Sequence, residues 1–113
     1  MNRTHYVNEN GAPDTIGTDG GIIVADEEHE LGARLTLERT IDCRAFSITS
    51  GIYGWMVHTC RYPSLEPARA AFDAMKLELN AIVEAIPNRS DPQIDEKLAI
   101  ISQSISSFVD RFP

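Results

Sequence analysis

Two series of apolar residues after Pro63 constrain the fold most strongly. In each series the apolar positions recur at alternating steps of three and four residues, which places them on one face of an α-helix. The first series is Leu65, Ala68, Phe72, Met75, Leu79, Ile82 and Ile86; the second is Ile94, Leu98, Ile101, Ile105, Phe108 and Phe112. A short polar connection separates them, which predicts an antiparallel helical hairpin over residues 64–112.

Local signals set the ends of the two predicted helices. Ser64 follows Pro63 and is a natural N-cap for the first helix. Pro87 disfavours helical geometry in the residue before it, so the first helix ends there. Asp91 is predicted to cap the second helix, with Pro92 at its first position.

The part of the chain before Pro63 has the two-residue period of β-strands. Apolar and polar residues alternate over residues 33–40 and 46–50, and a β-rich run follows at residues 55–62. Consecutive strands with short links usually pair antiparallel. The sequence therefore predicts an α+β fold: an antiparallel sheet of three to four strands (a β-meander over residues 22–62), followed by the helical hairpin packed on one face. Residues 1–21 are predicted to be a flexible or loosely docked N-terminal arm before a single domain at 22–113.

Charge and composition exclude some classes of function. The formal net charge is −7 and the ten basic residues are scattered, whereas a nucleic-acid-binding surface needs clustered Lys and Arg. An acidic balance favours solubility, and it also suits a basic protein partner. The chain has no apolar run long enough to span a membrane and no secretory h-region, so we expect a cytoplasmic location. In that compartment Cys43 and Cys60 are expected to be free thiols.

The predicted strand at residues 55–62 carries the strongest candidates for chemistry. His58 and Cys60 are two residues apart and point to one face; with Cys43 they could ligate zinc or form a Cys–His nucleophile pair. No closely spaced Cys or His pairs support a metal site, and a lone His and a lone Cys on a packed strand are more often core or rim residues. Trp55 and Tyr62, together with Phe46 and Tyr53, could line a small apolar pocket or simply pack. The candidate ligand-binding residues are Trp55, His58, Cys60, Tyr62 and Cys43, and no cofactor is predicted.

An acidic run at residues 26–30 is a second candidate. It surrounds His29 with four carboxylates but lacks the spacing of a calcium loop. Four carboxylates in five residues cannot all be buried, so the run is predicted to be a solvated turn or an exposed strand end.

The helices carry more apolar surface than one packed seam uses. Leu77, Val83, Ile100 and Val109 lie outside the seams and are the candidate interface residues. Either the sheet covers this surplus or the chain forms a homodimer through its helices. The sequence thus favours a small non-enzymatic interaction or regulatory module. The alternative is a small-ligand or metal-binding protein, or a minor enzyme, that uses residues 55–62.

Overall fold

The computed structural model describes residues 6–7 and 15–113 and confirms the α+β fold. An antiparallel sheet precedes two α-helices, and its strands lie in sequence order. The strands are β1 (Tyr6–Val7), β2 (Ile22–His29), β3 (Ala33–Arg39), β4 (Phe46–Ile52) and β5 (Met56–Tyr62); the helices are α1 (Leu65–Glu84) and α2 (Ile94–Arg111). The predicted meander corresponds to β2–β5, and the two-residue β1 pairs with the end of β2.

The core lies between α1 and one face of the sheet. Alternation along β3 and β4 directs Leu35, Leu37 and Ile48 to this side, where they are fully buried. Helix α1 contacts β3, β4 and β5. Its predicted seam is confirmed from Ala68 to Ile82, because the five seam residues in that range are buried.

Helix α2 packs on α1, which completes the predicted hairpin. Ile101 and Phe108 are the buried residues within the helix, and Phe112 is buried just after it. The regular helix begins at Ile94 rather than at Pro92. The Asp91 carboxylate instead accepts a hydrogen bond from the Gln93 N–H group at 2.8 Å, within a turn that precedes the helix.

Residues 15–21, called the strap below, lie on the sheet face opposite the helices. The buried Glu38 carboxylate accepts hydrogen bonds from the N–H groups of Gly21 at 2.8 Å and Asp19 at 3.1 Å. A β-carbon at Gly17 would come within 2.4 Å of this carboxylate, so a larger residue there would displace the Glu38 side chain. The prediction of a loosely docked arm covered residues 1–21, of which 1–5 and 8–14 lie outside the described residues. The strap itself is tied to the sheet by these specific bonds.

The prediction that residues 26–30 form a solvated turn or exposed strand end is wrong for Asp26 and His29. Strand β2 continues to His29, and both side chains are about 1% exposed. Asp26 is buried because Arg34 binds it through two hydrogen bonds, at 2.9 and 2.6 Å, and Thr36 donates a third. A buried carboxylate is tolerated when it is paired and hydrogen-bonded in this way.

Asn80 of α1 is the partner that allows His29 to be buried. The Nδ1 atom of His29 accepts a hydrogen bond from the Leu31 N–H group at 3.0 Å, so the proton of the neutral ring is on Nε2. Nε2 then donates to the Asn80 Oδ1 atom at 2.8 Å. This bond joins the end of β2 to the C-terminal part of α1.

Candidate functional site

Strand β5 presents His58, Cys60 and Tyr62 on the helix side of the sheet, as the alternation predicts. The Nε2 atom of His58 donates a hydrogen bond of 2.6 Å to the Phe112 carbonyl oxygen, which holds the end of the chain against β5. The Cys60 sulfur lies 3.7 Å from the Tyr62 hydroxyl oxygen and 3.8 Å from the Ile48 carbonyl oxygen. His58 and Cys60 thus have separate structural partners.

Burial disfavours ionisation of the Cys60 thiol. Desolvation raises the pKa of Cys60, so the thiol stays protonated near neutral pH. Desolvation, with a smaller contribution from Cys60, raises the pKa of Tyr62 to about 12. The thiolate is the form that attacks or binds a metal, and this environment disfavours it.

Cys43 lies in a different structural element from His58 and Cys60. It is exposed in the turn between β3 and β4, where its φ angle is 61°, whereas Cys60 is buried in β5. Both cysteines are free thiols. Among the residues that the structure describes, no group of three or more His, Cys, Asp or Glu side chains is arranged to hold a metal ion.

The four aromatic residues do not share one pocket. Phe46 and Tyr62 are register partners at one end of the β4–β5 pair. Tyr53 and Trp55 lie in the turn at the other end. Trp55 is half-buried against the core, while Tyr53 is 91% exposed. The two pairs are separated by the length of the strands, so the four residues cannot line a single small pocket.

Tyr53 and Trp55 instead border a groove on the sheet face opposite the helices, called the sheet-end groove below. Strand register places Glu28, Arg34, Gly51 and Val57 in one row across β2 to β5. The turns at Gly32 and Gly54, where φ is positive, close the end of this row. The groove has a volume of about 540 Å³.

The ion pair between Arg34 and Asp26 holds the charged side chain of Arg34 in place at the sheet-end groove. The hydrogen bond to Asp26 raises the pKa of Arg34, and the charges of Asp26 and Glu28 raise it further against the opposing effect of desolvation. Both hydrogen bonds of the pair join the guanidinium to one carboxylate, so Arg34 is held in one orientation. Glu28 is its register partner on β2.

A second groove runs along the outer side of the helical hairpin. This hairpin groove has a volume of about 310 Å³ and is lined by residues from Glu78 of α1 to Ala85 at its C-cap, and by residues between Ile100 and Ser107 of α2. Small residues line it, and these are Ala81, Ala85, Ser104 and Ser107. Ile100 lies beside it and is 58% exposed, and Leu77 on α1 is 57% exposed. The Glu78 carboxylate accepts a hydrogen bond from Arg111 across the two helices.

The candidate interface residues separate into two groups. Leu77 and Ile100 are exposed, as an interface requires. Val83 is only 3% exposed and belongs to the core, so its prediction as an interface residue is corrected: α1 is rotated so that Val83 faces inward. Val109 is partly buried against the same core.

Comparison of the chain with protein-family models, with curated proteins and with solved structures found no match. In residues 15–113, neither helix combines the length and the apolar character needed to cross a membrane.

Proposed function

We propose that this protein is a non-enzymatic interaction module that self-associates through the hairpin groove. The observation that supports this function best is the exposure of Leu77 and Ile100, two large aliphatic side chains on the outer surface of the hairpin. Ile100 lines the hairpin groove, and large exposed apolar side chains on a small protein are typical of protein interfaces.

The lining of the hairpin groove favours a second copy of the same surface as its occupant. Ala81, Ala85, Ser104 and Ser107 have small side chains, which let another helix approach closely. They are also uncharged, and the Glu78 carboxylate beside them is paired with Arg111. A two-fold dimer needs such a self-complementary patch.

The energetics predict a weak dimer. Full burial of a Leu or Ile side chain contributes about 1.5–3 kcal/mol, and slightly more than half of each side chain is exposed in the single chain. Four such side chains in a symmetric dimer gain several kcal/mol, and the entropy cost of association offsets part of this. A dissociation constant on the order of 10 µM corresponds to about 7 kcal/mol of net association free energy, so the small residues of the groove must contribute to the dimer beyond these four side chains.

Sedimentation velocity with light scattering, from about 1 to 200 µM protein, tests this proposal. The native chain should shift from monomer to dimer over this range. Leu77→Glu and Ile100→Glu should each leave only monomer at 200 µM, because a carboxylate would be buried at the interface. A chain that remains monomeric throughout would refute the proposal.

Ile41→Glu is the matched control. Ile41 is 62% exposed in the turn between β3 and β4, so the same change is made on a similarly exposed residue outside the helices. This variant should dimerise like the native chain. If it abolished dimerisation as completely as Leu77→Glu, added charge rather than the hairpin groove would explain both results.

A cytoplasmic location is also part of the proposal. The two free thiols support it, since a reducing compartment keeps cysteines unpaired.

A further inference from the structure

We propose that the sheet-end groove binds a cationic side chain, Arg or Lys, carried by an extended segment of a basic protein partner. This site is on the opposite side of the sheet from the hairpin groove. It does not depend on self-association, and a dimer formed through the helices would leave it accessible.

The register of the sheet creates the space for this side chain. Gly51 lies between Arg34 and Val57 in the cross-strand row and contributes no side chain to it. Val57, which is 80% exposed, forms an apolar surface beside the gap. The aliphatic stem of an Arg or Lys residue can pack along such a surface while its charged end stays in contact with polar groups or water.

Aromatic rings border the same gap. Tyr53 is 91% exposed in the turn between β4 and β5, and Trp55 lines the groove beside it. The faces of Tyr and Trp rings attract guanidinium and ammonium groups, and Arg also stacks on them. Tyr and Trp are enriched among the residues that contribute most to protein interfaces.

The charges around the groove favour a cation over an anion. Arg34 is the one cation in its described lining, and its guanidinium is already bound to Asp26. Glu28 lies in the lining, and Glu30 is exposed in the adjoining turn. The carboxylates of Asp26 and Glu28 both act on this one guanidinium, and the whole chain has a net charge of −7. This local and global excess of negative charge is complementary to a basic protein.

Trp55 provides a direct readout because it is the single tryptophan of the chain. The probe is an acetylated and amidated peptide of alternating Arg and Val, eight residues long, titrated into the full-length protein at about 50 mM salt. A peptide of alternating Glu and Val is the charge-reversed control. We expect a saturable change in tryptophan fluorescence with the Arg peptide and no saturable change with the Glu peptide.

Two pairs of variants locate the binding. Gly51→Val fills the groove: a β-carbon there lies 3.5 Å from the Met56 carbonyl oxygen, an ordinary contact, so the strand can accept it. Its control is Thr49→Val, on the same side of β4 two residues away. Glu28→Gln removes a carboxylate of the groove, and Glu96→Gln removes one from the exposed surface of α2.

The proposal predicts at least tenfold weaker binding of the Arg peptide to Gly51→Val and about threefold weaker binding to Glu28→Gln, with both controls within twofold of the native chain. Circular dichroism confirms that each variant is folded. Equal weakening by Glu28→Gln and Glu96→Gln would overturn the proposal, because it would show attraction by net charge alone. Undiminished binding to a folded Gly51→Val protein, or an equal response to the Glu peptide, would overturn it as well.

Discussion

The two helices have similar lengths and similar apolar spacing, yet they are used differently. Helix α1 buries seven residues within its 20 and contacts three strands as well as α2. Helix α2 buries two residues within its 18, and its main contact is α1. The first helix therefore completes the core, while most of the second remains on the surface.

This difference shows that an amphipathic pattern does not by itself fix how much of a helix is buried. An isolated helix of this length is only marginally stable in water, so its stability comes from the surface that it buries. Helix α2 has little such surface within the chain, and Ile100 is exposed on its outer side. Self-association through the hairpin groove would supply the missing burial.

The largest expected effect compares the same substitution in the two helices. Leu79 of α1 is fully buried, whereas Leu98 of α2 is half-buried. Leu79→Ala should lower the free energy of unfolding by about 3–5 kcal/mol, because it removes buried surface and leaves a cavity. Leu98→Ala should lower it by about 1 kcal/mol. Urea unfolding of both variants gives the values, and equal losses would contradict the contrast between the helices.

A smaller effect is expected where α1 meets the buried end of β2. Asn80→Ala removes the acceptor that lies 2.8 Å from the His29 Nε2 atom. Loss of a hydrogen-bond partner for a buried polar group costs about 1–3 kcal/mol. Gln103→Ala, an amide removed from the exposed surface of α2, should change the free energy of unfolding by less than about 0.5 kcal/mol. Similar losses for the two variants would show that the buried bond does not tie α1 to the sheet.

The smallest effect concerns the turn that precedes α2. The hydrogen bond from Lys97, followed by that from the Gln93 N–H group, holds the pKa of Asp91 below its ordinary value of 3.8. Because the folded-state pKa is the lower one, this contribution to stability is present above pH 3.8 and is lost as the pH falls through the lowered value.

NMR can follow that titration through the amide of Gln93. Its chemical shift should move below pH 3.8 as Asp91 gains a proton, and Asp91→Asn should abolish the shift change. Asp42→Asn, which alters another carboxylate of lowered pKa in the turn between β3 and β4, should leave the Gln93 titration unchanged. A Gln93 titration that persists in Asp91→Asn would mean that another group causes it.

Local patterns were sufficient to predict the elements that depend on local residues. The spacing that predicted both helical seams correctly directed Leu79 and Ile101 inward, and the two-residue period assigned His58 and Cys60 to one side of β5. The sequence also correctly predicted that the chain folds as a sheet followed by a hairpin.

Features that depend on partners distant in sequence could not be predicted in this way. Asp26 and His29 were predicted to be solvated because their partners, Arg34 and Asn80, lie on other elements. Val83 and Leu77 are both surplus apolar residues in sequence, and only the rotation of α1 against the sheet distinguishes the buried one from the exposed one. The sheet-end groove could not be predicted, because its lining residues come together only through the register of four strands. Gly51, a residue without a side chain within a strand, is the one local signal of a gap there.

Hydrogen exchange at two protein concentrations tests most directly the claim that α1 belongs to the core and α2 to an interface. At about 1 µM, where we expect monomer, the amides of α1 should be protected roughly tenfold or more above those of α2. At about 200 µM the protection of α2 should rise towards that of α1 in the native chain, but not in Leu77→Glu. Equal protection of the two helices at 1 µM, or protection of α2 that does not change with concentration, would contradict the account.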